Sequence, residues 1–360
     1  MQNTPQKPPF PQSQTAAQDD SAAQDAITLP ADMAGSGALD RLVQTAQDYA
    51  RAAISENTQK AYAKDWAHFA RWCRMRGADP LPPLPELIGL YIADLAAPQG
   101  KTPALSVASI ERRLSGLGWG FLQRGLQLDR RDRHIAIVLA GIRRKHARPP
   151  AQKEAILPED IRNMIATLPH DLRGLRDRTI LLIGFAGGLR RSEIVGLDHG
   201  QNDTTESRGW IEVLEDGVLI TLRGKTGWRE VEIARGSSDQ TCPVHALTQW
   251  LLFAKIDFGP VFVAVSRDGM KPTKDRLSDK HVARLIKQTV LQAGMRADLP
   301  EVQRVRLYSG HSLRAGLASS ADVDERHVQK QLGHASAEMT RRYQRRRDRF
   351  RVNLTKAVGL

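Results

Sequence analysis

Four polar side chains near the C-terminal end of the chain have the types and the order needed to act on a phosphodiester. His311 and Arg314 belong to His311-Ser312-Leu313-Arg314, and His334 and Tyr343 follow them. A tyrosine hydroxyl can attack phosphorus, and a guanidinium offers a planar fork of donors that matches phosphate oxygens. A histidine can donate a hydrogen bond to a non-bridging oxygen or orient the tyrosine. This set could therefore form a site at which Tyr343 attacks a phosphodiester.

Two residues further upstream could complete such a site. Arg190 would supply a second guanidinium for the charge that grows on the non-bridging oxygens. Lys225, at the tip of a predicted hairpin, could give a proton to a leaving 5′ oxygen. His311 and Arg314 lie three positions apart on a predicted helix and share one face, so both could meet a single phosphate.

Each of these residues, taken singly, also has an ordinary structural explanation. Arg190 and Glu193, at i and i+3, would usually form a surface ion pair worth a few tenths of a kcal/mol, roughly. A lysine in a β-turn is nearly always solvated, and a tyrosine in an arginine-rich helix is usually half-buried. Only the ordered set as a whole favours a catalytic site.

The first part of the chain that could position these residues is helical. Ser55 and Asn57 occupy N-cap positions before apolar residues at helical spacing. Prolines then break the chain, and three further helices are predicted at Glu86–Ala97, Ser106–Arg124 and His134–His146. Since this region shows no strand pattern, we predict a helical bundle over residues 38–147, after a disordered lead at residues 1–37 rich in Pro, Gln, Ala and Ser.

The second part of the chain mixes helices with a small sheet. A proline-containing linker at residues 148–157 precedes a helix that begins after Pro158 and an apolar helix over Arg178–Phe185. Alternating apolar residues predict antiparallel strands at Trp210–Leu214, Val218–Leu222 and Trp228–Ile233. The chain after Pro243 is predicted to be mostly helical. We therefore expect a mainly α protein, with a mixed second domain at residues 158–344 and a last helix at residues 345–360.

Composition favours a polyanionic partner. The net charge of +13 arises from 53 Lys and Arg against 40 Asp and Glu. Such a field attracts nucleic acid, because each neutralised phosphate releases counterions. An anionic membrane is disfavoured, since the basic residues do not gather on one amphipathic helix and no apolar run is long enough to cross a bilayer. The chain has 2 cysteines and no secretion signal, so we expect a cytoplasmic, nucleoid-associated protein.

The sequence shows no motif for a metal or a nucleotide. Its histidines are scattered, without HExxH or CxxC spacing. Gly224-Lys225-Thr226 lacks the preceding glycine of a phosphate-binding loop and lies between predicted strands. We therefore expect no metal site and no small-molecule cofactor.

The ordered set of motifs resembles the tyrosine recombinase, or phage integrase, family. The resemblance rests on the segment Gly188-Leu189-Arg190-Arg191-Ser192-Glu193-Ile194, Lys225 in a hairpin, His311-Ser312-Leu313-Arg314, Leu332-Gly333-His334 and Tyr343. It extends from about residue 40 to the end and is strongest toward the simple two-domain, Cre- and Xer-like members. It implies that the helical first domain is a SAM-like core-binding domain.

The family's catalytic roles can be assigned to matching positions. The resemblance implies that Arg190, Lys225, His311, Arg314 and His334 are catalytic, that Tyr343 is the nucleophile, and that Glu193 supports the active-site arginine. One departure is Ala315, where many members carry a second histidine. Since Cre-like members also lack this histidine, the departure leaves the assignment unchanged. Arg191 stands where an apolar residue is more usual, and we expect it to face solvent.

The resemblance also implies a reaction and an assembly. Without metal or ATP, Tyr343 would form a 3′-phosphotyrosyl link and free a 5′ hydroxyl, and a second strand would reseal the link. Two rounds of exchange would pass through a Holliday junction within a homotetramer on double-stranded DNA that carries a specific site, whereas the free protein would be a monomer. Phe350, Leu354 and Val358 form an apolar stripe on a last helix that we expect to dock in a neighbouring subunit.

Two other functions fit the sequence less well. A non-catalytic DNA-binding protein would have no need of all six catalytic residues, and a type IB topoisomerase would need neither the last helix nor a separate bundle of this form.

The basic residues that we expect to contact DNA are Arg112, Arg113, Arg124, Arg143 and Arg144 in the first domain, and Lys280 and Arg284 in the second.

Overall fold

The chain folds into two compact units, Met1–Pro150 and Ala151–Leu360. The structure is a computed structural model, and it describes residues 39, 41–42, 45–46, 48–49, 53–98, 100, 103–149, 152–201, 204, 206–224, 227–321, 323–333, 336, 338 and 341. The predicted disordered lead and the predicted last helix at residues 345–360 lie outside these residues. The two units divide within the predicted linker, while the domain bounds given above stay a prediction.

The first unit is a helical bundle around an aromatic core. Its helices are α1 (Glu56–Arg74), α2 (Pro85–Ala96), α3 (Val107–Leu122) and α4 (Arg133–His146). Ser106 and Asp132 cap α3 and α4, since each side chain accepts a hydrogen bond from a backbone N–H of the first turn. Phe69, Tyr91 and Phe121 are almost fully buried and meet edge to face, so the helices pack on interlocking rings.

The second unit opens with three helices that lead to the predicted catalytic arginine. They are α5 (Pro158–Ala166), α6 (Leu172–Ala186) and the short α7 (Arg191–Val195). Pro158 occupies the first turn of α5, where its missing N–H is not needed. α6 buries the apolar run Ile180–Ile183 and ends at Gly187. Arg190 occupies the N-cap position of α7, so a buried helix and a glycine turn fix its backbone.

A five-stranded mixed sheet follows α7. The strands are β1 (Leu197–His199), β2 (Gly209–Val213), β3 (Gly217–Gly224), β4 (Gly227–Ala234) and β5 (Gly259–Pro260), in the order β4-β3-β2-β1-β5. β2, β3 and β4 form an antiparallel meander whose register places Arg223 opposite Trp228 and Gly224 opposite Gly227. Val218, Ile220, Val231 and Ile233 are buried on one face. That face closes the core of the second unit.

The remaining elements complete the second unit. They are α8 (Pro243–Ala254), the β6–β7 hairpin (Val263–Val265 and Pro272–Arg276), α9 (Asp279–Gln292), α10 (Glu301–Leu307), α11 (Gly310–Ser320) and α12 (Glu325–Leu332). The helix α11 packs on α6, and α12 packs on β4. The C-terminal motifs therefore lie against the helix and the strand that carry the upstream motifs. No helix among the described residues is both long and apolar enough to cross a membrane.

The mainly α fold class is confirmed, with two differences in the sheet. β1 pairs with β2 in parallel, so the sheet is mixed and not purely antiparallel. The prediction of a mostly helical chain after Pro243 missed β5, β6 and β7, because strands of two to five residues give little alternation. Their pairing depends on contacts with distant segments, such as the bonding of β5 to β1.

Candidate active site

Arg190 is held at its base by a buried carboxylate. Glu193 is 4% exposed, and its Oε2 accepts a hydrogen bond from the backbone N–H of Arg190 at 2.8 Å. Its Oε1 accepts a second bond from Nη1 of Arg190 at 2.6 Å. The side chain of Arg190 is nevertheless 49% exposed. Glu193 thus fixes the orientation of the Arg190 guanidinium, which remains accessible to a ligand from solvent.

Glu193 remains ionised at neutral pH. Burial alone would raise the pKa of its carboxyl group, but the backbone N–H of Arg190 and the charges of Arg229 and Arg190 outweigh burial. The pKa of Glu193 therefore lies below its ordinary value. A fixed negative charge at this position holds Arg190 at every pH near neutrality.

Arg314 lies deeper than Arg190 and joins three segments. Ser309 is the N-cap residue of α11, and its side chain accepts the N–H of His311. His311 and Arg314 therefore lie on successive turns of this helix. Arg314 is 2% exposed; its Nη1 donates to the carbonyl of Gly188 at 2.7 Å and its Nη2 donates to the carbonyl of Leu332. Arg314 therefore links α11 to the turn before Arg190 and to the end of α12.

His311 is the exposed partner of the two arginines. Partial loss of hydration around its imidazole, followed by the positive charges of Arg314 and Arg190, lowers the pKa of His311 below 6.5. Both arginines act on the same imidazole, so three of the predicted catalytic residues share one electrostatic environment. The imidazole is neutral at pH 7 and can accept or donate a hydrogen bond.

The protonation of His311 should respond to Arg190. In the free protein, we expect an NMR titration of His311 with a midpoint below 6.5, and Arg190→Gln should raise it because one repelling charge is removed. Since the folded pKa is depressed, this group makes folding less favourable as the pH falls from 6.5 through that midpoint. The exposed Arg235→Gln is the matched control. An unchanged midpoint in Arg190→Gln would contradict the arrangement.

Arg229 of β4 is a site residue that the sequence reasoning missed. Its Nη2 donates to Oε2 of Glu193 at 3.0 Å, and its Nη1 donates to the carbonyl of Gln331 at 2.5 Å. The alternation along β4 could have indicated it: Arg229 precedes the buried Val231 and Ile233 by two and four residues. Its side chain therefore lies on the same, inner face of the sheet. An arginine at a buried strand position needs partners, and here they are Glu193 and α12.

Three of the predicted catalytic residues, Lys225, His334 and Tyr343, lie outside the described residues. Lys225 and Thr226 join the paired residues Gly224 and Gly227 at the ends of β3 and β4. The residue before His334, Gly333, has φ +59° and ends α12. The structure thus brings together Arg190, His311, Arg314 and Glu193, and the roles of all seven residues stay predictions.

Gly188, in the turn between α6 and Arg190, is essential to the packing. It has φ +57°, and a Cβ atom there would lie 2.4 Å from a methyl group of Leu332 and 2.9 Å from one of Leu317. We expect Gly188→Ala to lower the free energy of unfolding by about 2–4 kcal/mol, from backbone strain and steric overlap together. Denaturant unfolding measures the loss.

Gly294 provides the matched control. It has φ +67°, but no atom lies within 4 Å of an added Cβ atom. Gly294→Ala should therefore cost only the backbone strain, roughly 1 kcal/mol. Equal losses in the two variants would show that packing against α12 is not what restricts residue 188.

The arginines predicted to contact DNA from the first unit mostly have partners within the bundle. Arg112 pairs with the buried Asp65, and Arg113 donates to the hydroxyl of Tyr91 at 3.2 Å. Arg143 pairs with Glu111 at 2.6 Å, and Arg124 lies over the ring of Trp66 at 4.2 Å. Arg144 is exposed on α4. A variant of Arg144 would thus test DNA contact without disturbing one of these pairs.

The second unit carries the other candidates on α9. Lys280 and Arg284 are both exposed. Arg191 is only partly exposed, since its side chain crosses Gly310 and its Nη2 lies 3.6 Å from a carboxylate oxygen of Asp279. Across the part of the chain that the structure describes, no group of His, Cys, Asp or Glu residues could hold a metal ion.

Comparison with known proteins identifies the family. The profile of the phage integrase family matches residues 154–349. The chain belongs to the phage integrase family. An integrase/recombinase XerD homologue of Selenomonas ruminantium is 32% identical over 83% of this chain and 84% of its own length. The tyrosine recombinase XerC 1 of Ralstonia nicotianae is 30% identical over 81% of this chain and 84% of its own length.

Solved structures agree on the fold. A Tn1549 transposon integrase in complex with transposon right end DNA has a TM-score of 0.52 at 15% identity, covering 88% of this chain and 96% of that one. A lambda integrase dimer bound to a COC′ core site has a TM-score of 0.50 at 16% identity, covering 87% and 96%. The family match and the XerD homologue confirm the family resemblance, and with it the assignment of this phage integrase family member to the tyrosine-type site-specific recombinases.

Proposed function

We propose that this family member cleaves and rejoins DNA strands at a specific site through a 3′-phosphotyrosyl intermediate. The phenol of Tyr343 gives its proton to the neutral His311 as its oxygen attacks the scissile phosphorus. The bond from phosphorus to the 5′ oxygen breaks, and the leaving oxygen takes a proton from Lys225. A 5′ hydroxyl of a second duplex then attacks the link and releases Tyr343. Since one phosphoester replaces another at each step, no ATP is consumed, and the cationic side chains take the part that a metal ion would have in stabilising the phosphate charge.

The charge on the phosphate is stabilised by fixed cations. Arg190, oriented by Glu193 and open to solvent, offers its guanidinium to the non-bridging oxygens. Arg314 supplies a buried positive charge beneath the same region, and the neutral His311 can bond to the phosphate or accept a proton. His334 donates to a non-bridging oxygen or orients Tyr343. Because Arg190 and Arg314 are held before DNA arrives, little reorganisation of these two cations is needed in the transition state.

The proposal extends to the assembly and to its partner. The partner is double-stranded DNA that carries a recombination site, and the basic net charge of +13 supports binding to it. The protein is a monomer in solution and a homotetramer on two paired sites, where two rounds of strand exchange pass through a Holliday junction. The DNA-bound integrases of similar fold support the DNA partner.

One observation carries this proposal. Arg190 is distant in the sequence from His311 and Arg314, yet Arg314 donates to the carbonyl of Gly188, two residues before Arg190, and the charges of both arginines lower the pKa of His311. Buried groups hold the arginines there: Glu193 binds Arg190, and two main-chain carbonyls bind Arg314. Solvated surface arginines need no such support, whereas a site for a phosphate does.

The experiment begins by selecting the DNA site. Duplexes bound by the purified protein are recovered from a randomised pool, and the selected site is then nicked near the cleavage position so that the reaction stops at the covalent stage. We expect a protein–DNA adduct that survives denaturation, carries its link at the 3′ phosphate and leaves a 5′ hydroxyl that a kinase can label. If no adduct formed on any selected site, the proposed cleavage would be wrong, and the protein would only bind DNA.

A second assay separates recombination from topoisomerase action. Two duplexes of different length, each with the selected site, are incubated together, and a supercoiled plasmid with one site is incubated separately. We expect recombinant duplexes of new length and a Holliday junction that accumulates early. Relaxation of the plasmid without strand exchange between duplexes would instead indicate a type IB topoisomerase.

A further inference from the structure

We propose that Arg229 is a positioning residue that holds the two catalytic arginines in one hydrogen-bonded unit, an inference that rests on the function proposed above. Arg229 acts through Glu193, which orients Arg190, and through the end of α12, which binds Arg314.

The hydrogen bonds form a continuous path through four elements. Arg190 at the start of α7 donates to Glu193, and Glu193 also accepts from Arg229 of β4. Arg229 donates in turn to the carbonyl of Gln331 in α12, and the next carbonyl, that of Leu332, accepts from Arg314 of α11. One guanidinium thus ties the carboxylate under one catalytic arginine to the main chain under the other.

The surroundings of Arg229 fix its conformation. Its side chain is 13% exposed, and the carboxylate of Glu193 that it meets is 5% exposed. The main chain of Gly333 lies so close that an added Cβ atom would stand 2.6 Å from Cδ of Arg229 and 3.0 Å from its Nε. Arg229 therefore also supports the turn from which the chain continues to His334.

The position requires the geometry of an arginine. Its two terminal nitrogens donate in different directions, one to Glu193 and one to the carbonyl of Gln331. A lysine would keep the charge but presents a single ammonium group, which cannot reproduce a planar fork. Arg229→Lys therefore isolates the loss of orientation from the loss of charge.

The test compares cleavage rates under single-turnover conditions on the nicked, selected DNA site. We expect Arg229→Lys to cleave about 10–100-fold more slowly, since a displacement of roughly 1 Å costs about that much. Its Kd for the same site should stay within about twofold of wild type, because no DNA contact is removed. The control is Arg235→Lys, an exposed arginine just beyond β4, which should match wild type in both.

A double-variant cycle distinguishes positioning from general stabilisation. If Arg229 acts through Glu193, the double variant Glu193→Gln, Arg229→Lys should cleave no more than about threefold more slowly than the worse single variant. In the DNA-free protein, Arg229→Lys should also move the NMR midpoint of His311 upward, because Arg190 is held less closely. If the rate losses of the two single variants multiply in the double variant, and the titration midpoint of His311 does not change in Arg229→Lys, the inference is wrong.

The remaining outcomes are equally decisive. An Arg229→Lys protein that cleaves at the wild-type rate would refute the positioning role and leave the proposed function intact. A wild-type protein that forms no adduct would refute the proposed function itself. If Arg229→Lys does not fold, Arg229→Gln takes its place, since its amide retains a donor for the carbonyl of Gln331, and the same cycle and titration decide.

Discussion

The Tyr343→Phe protein is expected to bind its selected DNA site with an unchanged Kd and to form no covalent adduct. Removal of the hydroxyl oxygen deletes the atom that would bond to phosphorus, while the aromatic ring is retained. Loss of a nucleophile lowers a rate by roughly 10⁴-fold or more, which places adduct formation below detection. The measurement is a denaturing gel of the nicked, labelled duplex after incubation with excess protein.

Tyr308 is the matched control for this prediction. It is 4% exposed, and its hydroxyl donates to Oε2 of Glu154 at 3.0 Å. Burial and the charge of Glu154 raise the pKa of Tyr308, so its phenol stays protonated and unreactive. Tyr308→Phe should retain the adduct and lose about 1–3 kcal/mol of stability. An adduct that persists in Tyr343→Phe would show that another residue is the nucleophile.

The helices and the meander could be predicted because their signals are local. In α1–α4, apolar residues recur at helical spacing and prolines or capping residues mark the ends, so the predicted bounds of α2–α4 fall close to those observed. In β2–β4, alternation fixes which side chains turn inward. By contrast, β7 reads Pro-Thr-Lys-Asp-Arg, and nothing in that pattern indicates a strand. Its pairing with β6 depends on the rest of the fold.

The candidate site could be predicted in part, for a related reason. Arg190, His311 and Arg314 belong to motifs whose residue types and order are distinctive. Arg229 belongs to no motif, and its importance arises only when β4 packs against α7 and α12. The burial of Arg314 could not be predicted from the sequence either. Arg314 shares a helix face with His311, yet Arg314 is buried and His311 is exposed. Burial depends on which segments cover a residue, and here the turn at Gly188 and the end of α12 do so.

Arg314→Met is expected to combine a large loss of cleavage with a large loss of stability. The substitution leaves the buried carbonyls of Gly188 and Leu332 without their arginine donors, which costs about 1–3 kcal/mol for each group. It also removes a fixed positive charge from the site, and losing one such group slows a reaction by about 10²–10³-fold. Denaturant unfolding and single-turnover cleavage measure the two effects separately.

Arg304 separates the catalytic effect from the structural one. It is also buried, at 9% exposure, and donates to main-chain carbonyls, those of Met295 at 2.7 Å and Leu291 at 3.2 Å. Unlike Arg314, it is not among the charges that lower the pKa of His311. Arg304→Met should therefore lose a similar amount of stability, about 2–5 kcal/mol, and still cleave within about threefold of wild type below its unfolding transition. If both variants lost cleavage in proportion to their stability, Arg314 would be a structural residue, and the buried charge beneath His311 would have no part in the reaction.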